Sequence, residues 1–137
     1  MKDFYVNIKN TDSLNHFPTN SKNSFTLNFP IDLHIHGFPM KCALVDISHP
    51  PVITDCPMIT LHCDAVTPSV IDSSLKPILR RFPNRRFDGM AYSSPQYIKI
   101  KSERIVQMSF SLRDDNSELI QFSEGVTYIT LHFTADI

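Results

Sequence analysis

The sequence predicts an all-β protein, a single jelly-roll antiparallel β-sandwich. Three observations carry that class. Apolar residues recur with a period of two, as in Val106, Met108, Phe110 and Leu112, and again in Thr127, Ile129, Leu131 and Phe133. Turn-forming clusters such as 113–117 and 123–125 separate these runs at short intervals. No segment of ten or more residues carries a helical apolar period, and nothing resembles a βαβ unit.

Phe4 to Ile8 is the first strand candidate. Residues 10–23 are polar and contain Pro18, so 1–23 reads as an N-terminal strand or arm on one domain spanning 1–137. Phe25, Leu27 and Phe29 alternate, and Ile31, Leu33 and Ile35 continue in phase after Pro30. A proline cannot donate to a ladder, so Pro30 marks an edge, a bulge or a break. Met40, Cys42 and Leu44 open the next strand, and its other face, Ala43, Val45 and Ile47, is apolar too. A strand apolar on both faces is central or lies under another subunit, which makes Ala43, Val45 and Ile47 candidate interface residues. Prolines 50, 51 and 57 bracket a loop, and Ile59, Leu61, Cys63 and Ala65 alternate after it. Residues 68–74 read as a loop with one helical turn, 75–82 as a strand broken by Pro77, and 83–95 as a long loop. Tyr97 to Lys101 alternates, and the stretch from Val106 to Phe133 reads as a three-stranded meander. The count is eight or nine short strands.

At 137 residues one core buries about two thirds of the unfolded chain's surface, so no disulfide or metal is needed for stability. The 13 basic and 14 acidic residues nearly cancel, which argues against a dedicated nucleic-acid coat. No acidic run exists either, which disfavours a histone chaperone of nucleoplasmin type. Three cysteines without a CxxC spacing read as buried free thiols in a reducing compartment. No apolar h-region opens the chain, and no stretch reaches the roughly 20 apolar residues of a membrane span.

Several clusters could carry chemistry. His34 and His36, like His62 and Asp64, are two apart and share a strand face, but zinc needs three or four converging ligands, so no metal is expected. Cys63 has His62 and His49 near in sequence, yet it is in phase with Ile59 and Leu61 and reads as a structural thiol. Asp114 and Asp115 read as turn residues before an acid–base pair. Arg80, Arg81, Arg85 and Arg86, flanked by Phe82 and Phe87, form the one basic cluster and are candidates for contact with nucleic acid or an acidic partner. There is no phosphate-binding glycine loop and no hydrolase motif, so neither an enzyme nor a cofactor is expected.

Three segments together resemble the minor capsid, or penton, protein of Polinton/Maverick elements and adintoviruses. The first is Pro39 to Pro50, an apolar alternation followed by Asp46-Ile47 and a proline. The second runs from Leu61 through Cys63-Asp64 to the Pro77-Ile78-Leu79-Arg80 ending. The third starts at Pro95-Gln96-Tyr97-Ile98 and runs through Leu112, Arg113-Asp114-Asp115 and the 122–125 turn to Leu131-His132-Phe133. The likeness covers residues 24–134, rests on the order and spacing of these segments, and departs at Met40, where the family often has Trp. It implies a structural protein of the virion, a homopentamer at the fivefold vertices of an icosahedral capsid. The implied partners are a double jelly-roll major capsid protein and, weakly, packaged DNA. The competing class is a jelly-roll binding module for carbohydrate or a protein, for which Tyr5, Tyr92, Tyr97 and Tyr128 would have to supply the aromatic platform.

Overall fold

A computed structural model of the protein describes residues 3–34, 39–71, 73–84, 89–92, 94–102 and 104–136, with the backbone alone at 30–34 and 89–91. Eleven strands form among them: β1 (Asp3–Lys9), β2 (Ser24–His34), β3 (Met40–Ser48), β4 (Met58–Cys63), β5 (Ser69–Ile71), β6 (Ser74–Lys76), β7 (Ile78–Pro83), β8 (Gly89–Ala91), β9 (Ile98–Lys99), β10 (Arg104–Arg113) and β11 (Tyr128–Ala135). The first sheet has the order β1-β11-β3-β8, with β9 also on β3, and the second has β2-β10-β4-β7. Every pairing is antiparallel. The chain keeps crossing from one sheet to the other, so each sheet interleaves its early and late strands. That is the strand order of a single jelly roll.

The inner faces of both sheets supply the core. Cys42, Leu44, Ile129, Leu131 and Phe133 come from the first sheet, and Phe25, Leu27, Ile59, Leu61, Met108, Phe110 and Leu112 from the second. Phe4 stacks on Phe133 at 4.9 Å, and Phe25 on Phe110 at 5.4 Å. The alternation of β11 matches its burial, with Ile129, Leu131 and Phe133 inside and Tyr128 outside.

In β10 the alternation changes phase. Val106 is 44% exposed, while Ile105 is buried. The cause is a bulge: Ile105 pairs with Leu33 and Gln107 with Asn28, so residues 29–32 of β2 face Val106 alone. The extra residues turn Val106 outward and bring Ile105 in. Pro30 lies in this unpaired stretch, on the edge strand of its sheet, where its missing N–H costs no ladder bond.

Three other expectations are corrected. β10 and β11 lie in opposite sheets, so the C-terminal third crosses the sandwich and is no meander. Its connection buries Ile120 and Phe122, the latter bridged to Val52. A hairpin, β5–β6, replaces the helical turn expected within 68–74. Strand β8 occupies part of the expected 83–95 loop, paired to β3. At the 123–125 turn, Gly125 has φ +147, and a Cβ there would stand 2.9 Å from Pro50 Cγ.

Candidate functional site

Strand β3 was expected to present Ala43, Val45 and Ile47 on one outer face, and a bulge breaks that set. Thr130 pairs with Asp46 and Leu131 with Leu44, leaving Val45 as the extra residue. The Val45 carbonyl accepts from the Tyr92 N–H at 2.9 Å. Beyond the bulge Ile47 faces inward, opposite Ile129, and both belong to the core. Ala43 keeps the outer direction and is fully buried there, and Val45 is half-buried.

Ala43 sits in a cross-strand row with His132 and Tyr5. The His132 ring stacks on Tyr5 at 4.6 Å. Its Nδ1 is 2.8 Å from the Tyr97 hydroxyl and its Nε2 is 3.2 Å from Asp3 Oδ2. One tautomer satisfies both contacts, with Nε2–H donating to the carboxylate and the phenol donating to Nδ1. Lys41 Nζ lies 5.2 Å from the centre of the Tyr97 ring. This knot ties β1, β3, β11 and the segment before β9 across the outside of the first sheet, and sequence spacing gave no hint of it because its members lie on four separate segments.

The two described members of the arginine cluster, Arg80 and Arg81, do not converge. Arg80 and Arg81 are neighbours on β7 and so point to opposite faces. Arg80 lies opposite the core residue Leu61. Its guanidinium stacks 3.8 Å from the centre of the Tyr92 ring and donates to the Ser94 carbonyl at 3.1 Å. Burial pushes the Tyr92 hydroxyl up to about 12, against the opposing pull of Arg80. Arg81 points outward and pairs with Asp115 at 3.0 Å. Both guanidinia therefore have internal partners. Arg85 and Arg86 lie outside the described residues.

The smaller clusters resolve into structural roles. Cys63 is fully buried in the core, where burial above all pushes its thiol up to about 12, so it stays protonated and is no nucleophile. His49 is buried against Phe122, its Nδ1 2.8 Å from the Pro50 carbonyl oxygen. Asp114 Oδ1 accepts from the N–H groups of Asn116 and Glu118, closing a turn. Asp64 Oδ1 accepts from the Ser109 N–H. His62 is half-buried on the outer face of β4, its Nδ1 without a hydrogen-bond partner. The His34 side chain and His36 lie outside what is described. Among the described residues no three His, Cys, Asp or Glu side chains gather as a metal site, and no helix is long and apolar enough to cross a membrane.

The remaining conspicuous surface is the β5–β6 hairpin. It folds over the outside of the second sheet, where Ile71 and Lys76 line a groove with Thr60, His62, Ile78 and Arg81. Lys76 Nζ donates to Ser117 Oγ at 2.9 Å. Thr60, on the outer face of β4, is buried. The cross-strand partners Val70 and Leu75 point the other way, 70% and 71% exposed. The signal for it in the sequence is Asp72-Ser73 between Val70-Ile71 and Ser74-Leu75, a two-residue turn flanked by apolar residues. Ser73 takes a left-handed φ of 65, as such a turn requires.

No family model and no curated protein matches the chain. Among solved structures it is similar to the mavirus penton protein, at a TM-score of 0.58 and 8% identity over 98% of this chain and 100% of that one. It also aligns with the Drosophila NLP core, described for pentamer formation and histone binding, at a TM-score of only 0.40 and 11% identity over 99% of this chain and 100% of that one. The likeness to the mavirus protein shows a shared fold, the single jelly roll seen in the strand order.

Proposed function

We propose that the chain is a penton-type minor capsid protein, five copies of which close a ring at the fivefold vertex of an icosahedral virion. The observation that carries this is the end-to-end likeness to the mavirus penton protein, with neither chain holding a large segment the other lacks. The residues support structural work. The thiol at Cys63 stays protonated in the core, and Asp114, Asp115, Arg80 and Arg81 are spent on the chain's own contacts. Its partners would be further copies of itself and a double jelly-roll major capsid protein, with Arg85 and Arg86 left as the candidates of the basic cluster for packaged DNA or an acidic surface. The family within which this reading falls is that of the Polinton and adintovirus pentons.

Native mass spectrometry of the purified chain tests the reading. A species at five times the chain's 15.7 kDa is expected, together with incorporation into shells when the chain is co-expressed with a major capsid protein. A chain that stays monomeric at high concentration and is left out of the shells overturns it.

A further inference from the structure

A ring of identical subunits is built from heterologous contacts. Each subunit must carry two different, complementary patches on opposite sides, one given to the neighbour ahead and one to the neighbour behind. Among the described residues eight large apolar side chains are exposed. Leu14 and Ile53 stand apart in loops, and Val106 stands apart on β10 opposite the extra residues of β2. The other five fall into two groups. Val70 and Leu75 are cross-strand partners on the β5–β6 hairpin, outside the second sheet. Tyr5, Tyr97 and Tyr128 lie outside the first sheet, Tyr5 and Tyr128 on the paired strands β1 and β11. The two groups thus occupy opposite faces of the sandwich.

We infer that the hairpin pair Val70 and Leu75 of one copy docks on the tyrosine face of β1 and β11 of the next copy, and that this contact closes the ring. The inference rests on the ring reading above and names its contact. The two patches differ in the way such a contact needs. The hairpin offers two aliphatic side chains on a projecting β-turn, and the hydrogen bond from Lys76 Nζ to Ser117 Oγ anchors its base. The receiving face carries Tyr5 and Tyr128 on either side of the polar pair Asn7–Thr130. Tyr5 is held by its stack on His132, and His132 is itself fixed by Asp3 and Tyr97, so little side-chain freedom is left to lose on docking. Tyrosine is among the residues that carry most of the binding energy at protein interfaces, and aliphatic groups packed on its ring exclude water from the phenol's neighbours. Neither patch complements itself. Two hairpins would meet tip to tip over two side chains each, whereas hairpin on tyrosine face can repeat around a closed ring.

Cysteine cross-linking tests this directly, because Cys42, Cys56 and Cys63 are all buried free thiols and leave introduced cysteines as the accessible ones. Leu75→Cys combined with Tyr5→Cys or Tyr128→Cys, treated with a short bismaleimide, should give a covalent ladder up to the pentamer. Each single variant should give none. In parallel, Leu75→Asp and Tyr5→Asp should each raise the concentration needed for assembly by about twenty-fold or more while the monomer keeps its melting temperature. Pentamers that form normally in both Asp variants overturn the inference and leave the ring reading standing. A dimeric cross-link from Leu75→Cys alone overturns it in favour of a symmetric hairpin contact. A wild-type chain that never assembles removes the ring reading, and this contact with it. Should an Asp variant fail to fold, the cross-linking ladder still decides.

Discussion

Replacing Phe110 by Ala should remove a large share of the subunit's stability, while replacing Val106 by Ala should be nearly silent. The sequence pattern ranks the two alike, and the structure separates them. Phe110 is 2% exposed on β10, an inner strand of its sheet, with Phe25 and Cys63 as its cross-strand partners. Truncating such a ring costs about 3–5 kcal/mol through lost transfer energy and the cavity left behind. About 0.5–1.5 kcal/mol of that is the aromatic contact with Phe25. Set against a usual total of about 5–15 kcal/mol, this is severe. With a urea m-value of about 2 kcal/mol/M, the midpoint should fall by about 2 M. Val106, turned outward by the bulge, should cost under about 0.5 kcal/mol, whereas Ile105→Ala should cost about 2–5 kcal/mol. The assay is equilibrium urea unfolding by circular dichroism, at dilutions where the midpoint no longer depends on protein concentration. A Val106→Ala loss equal to that of Phe110→Ala would refute the bulge and restore the simple alternation.

Three further outcomes are expected. Arg80→Ala should destabilise by about 1–2 kcal/mol through the lost stack on Tyr92, while Arg81→Ala, whose ion pair with Asp115 is about a third exposed, should cost under about 1 kcal/mol; thermal melts of both variants would show the order reversed if Arg80 were a free surface cation. Native Cys42 and Cys63 should resist a thiol reagent at pH 8.5, since at a value near 12 fewer than about one Cys63 in a thousand is thiolate, and should react once urea is added; rapid native labelling of either would contradict their burial. His62 should make the fold sensitive to acid. Burial first, then the nearby Arg113 and Lys76, lower its value below 6.5, so between the two values the unfolded chain binds more protons than the folded one. Its contribution is complete above pH 6.5 and is lost as pH falls through the lowered value. Wild type should therefore lose more melting temperature than His62→Gln between pH 7.5 and pH 5, and equal losses would show that His62 does not titrate abnormally.

The fold was legible where burial follows strict alternation. Ile129, Leu131 and Phe133 sit inside as read, and Phe25, Leu27, Met108, Phe110 and Leu112 join them. It was illegible where the backbone slips by a residue. Nothing in the composition near Val45 marks its bulge, and the one opposite Val106 was hinted at only on the other strand, at Pro30 of β2, with nothing to say which residue of β10 it would turn outward. Which strands pair is equally hidden, so β10 and β11 looked like neighbours although they belong to different sheets. Three-residue strands such as β5, β6 and β8 are too short to show a period. Within the basic cluster, Arg80 and Arg81 could never act as one surface for a plainer reason: adjacent residues on a strand point apart.

The position of β11 has a consequence for how the protein must be made. It comes after all the others in chain order, yet it lies second in its sheet, between β1 and β3. Strand β1 pairs with β11 and β2 with β10, so these two early strands wait for β10 and β11 before their partners exist. Folding during translation can zip β4 onto β7 and β3 onto β8, but both sheets stay open at their early edges until β10 and β11 have been made. On a polysome, many copies would hold such open edges side by side, which is the setting in which strands pair with the wrong copy. Deleting the last dozen residues would therefore not trim the molecule but cut its first sheet in two.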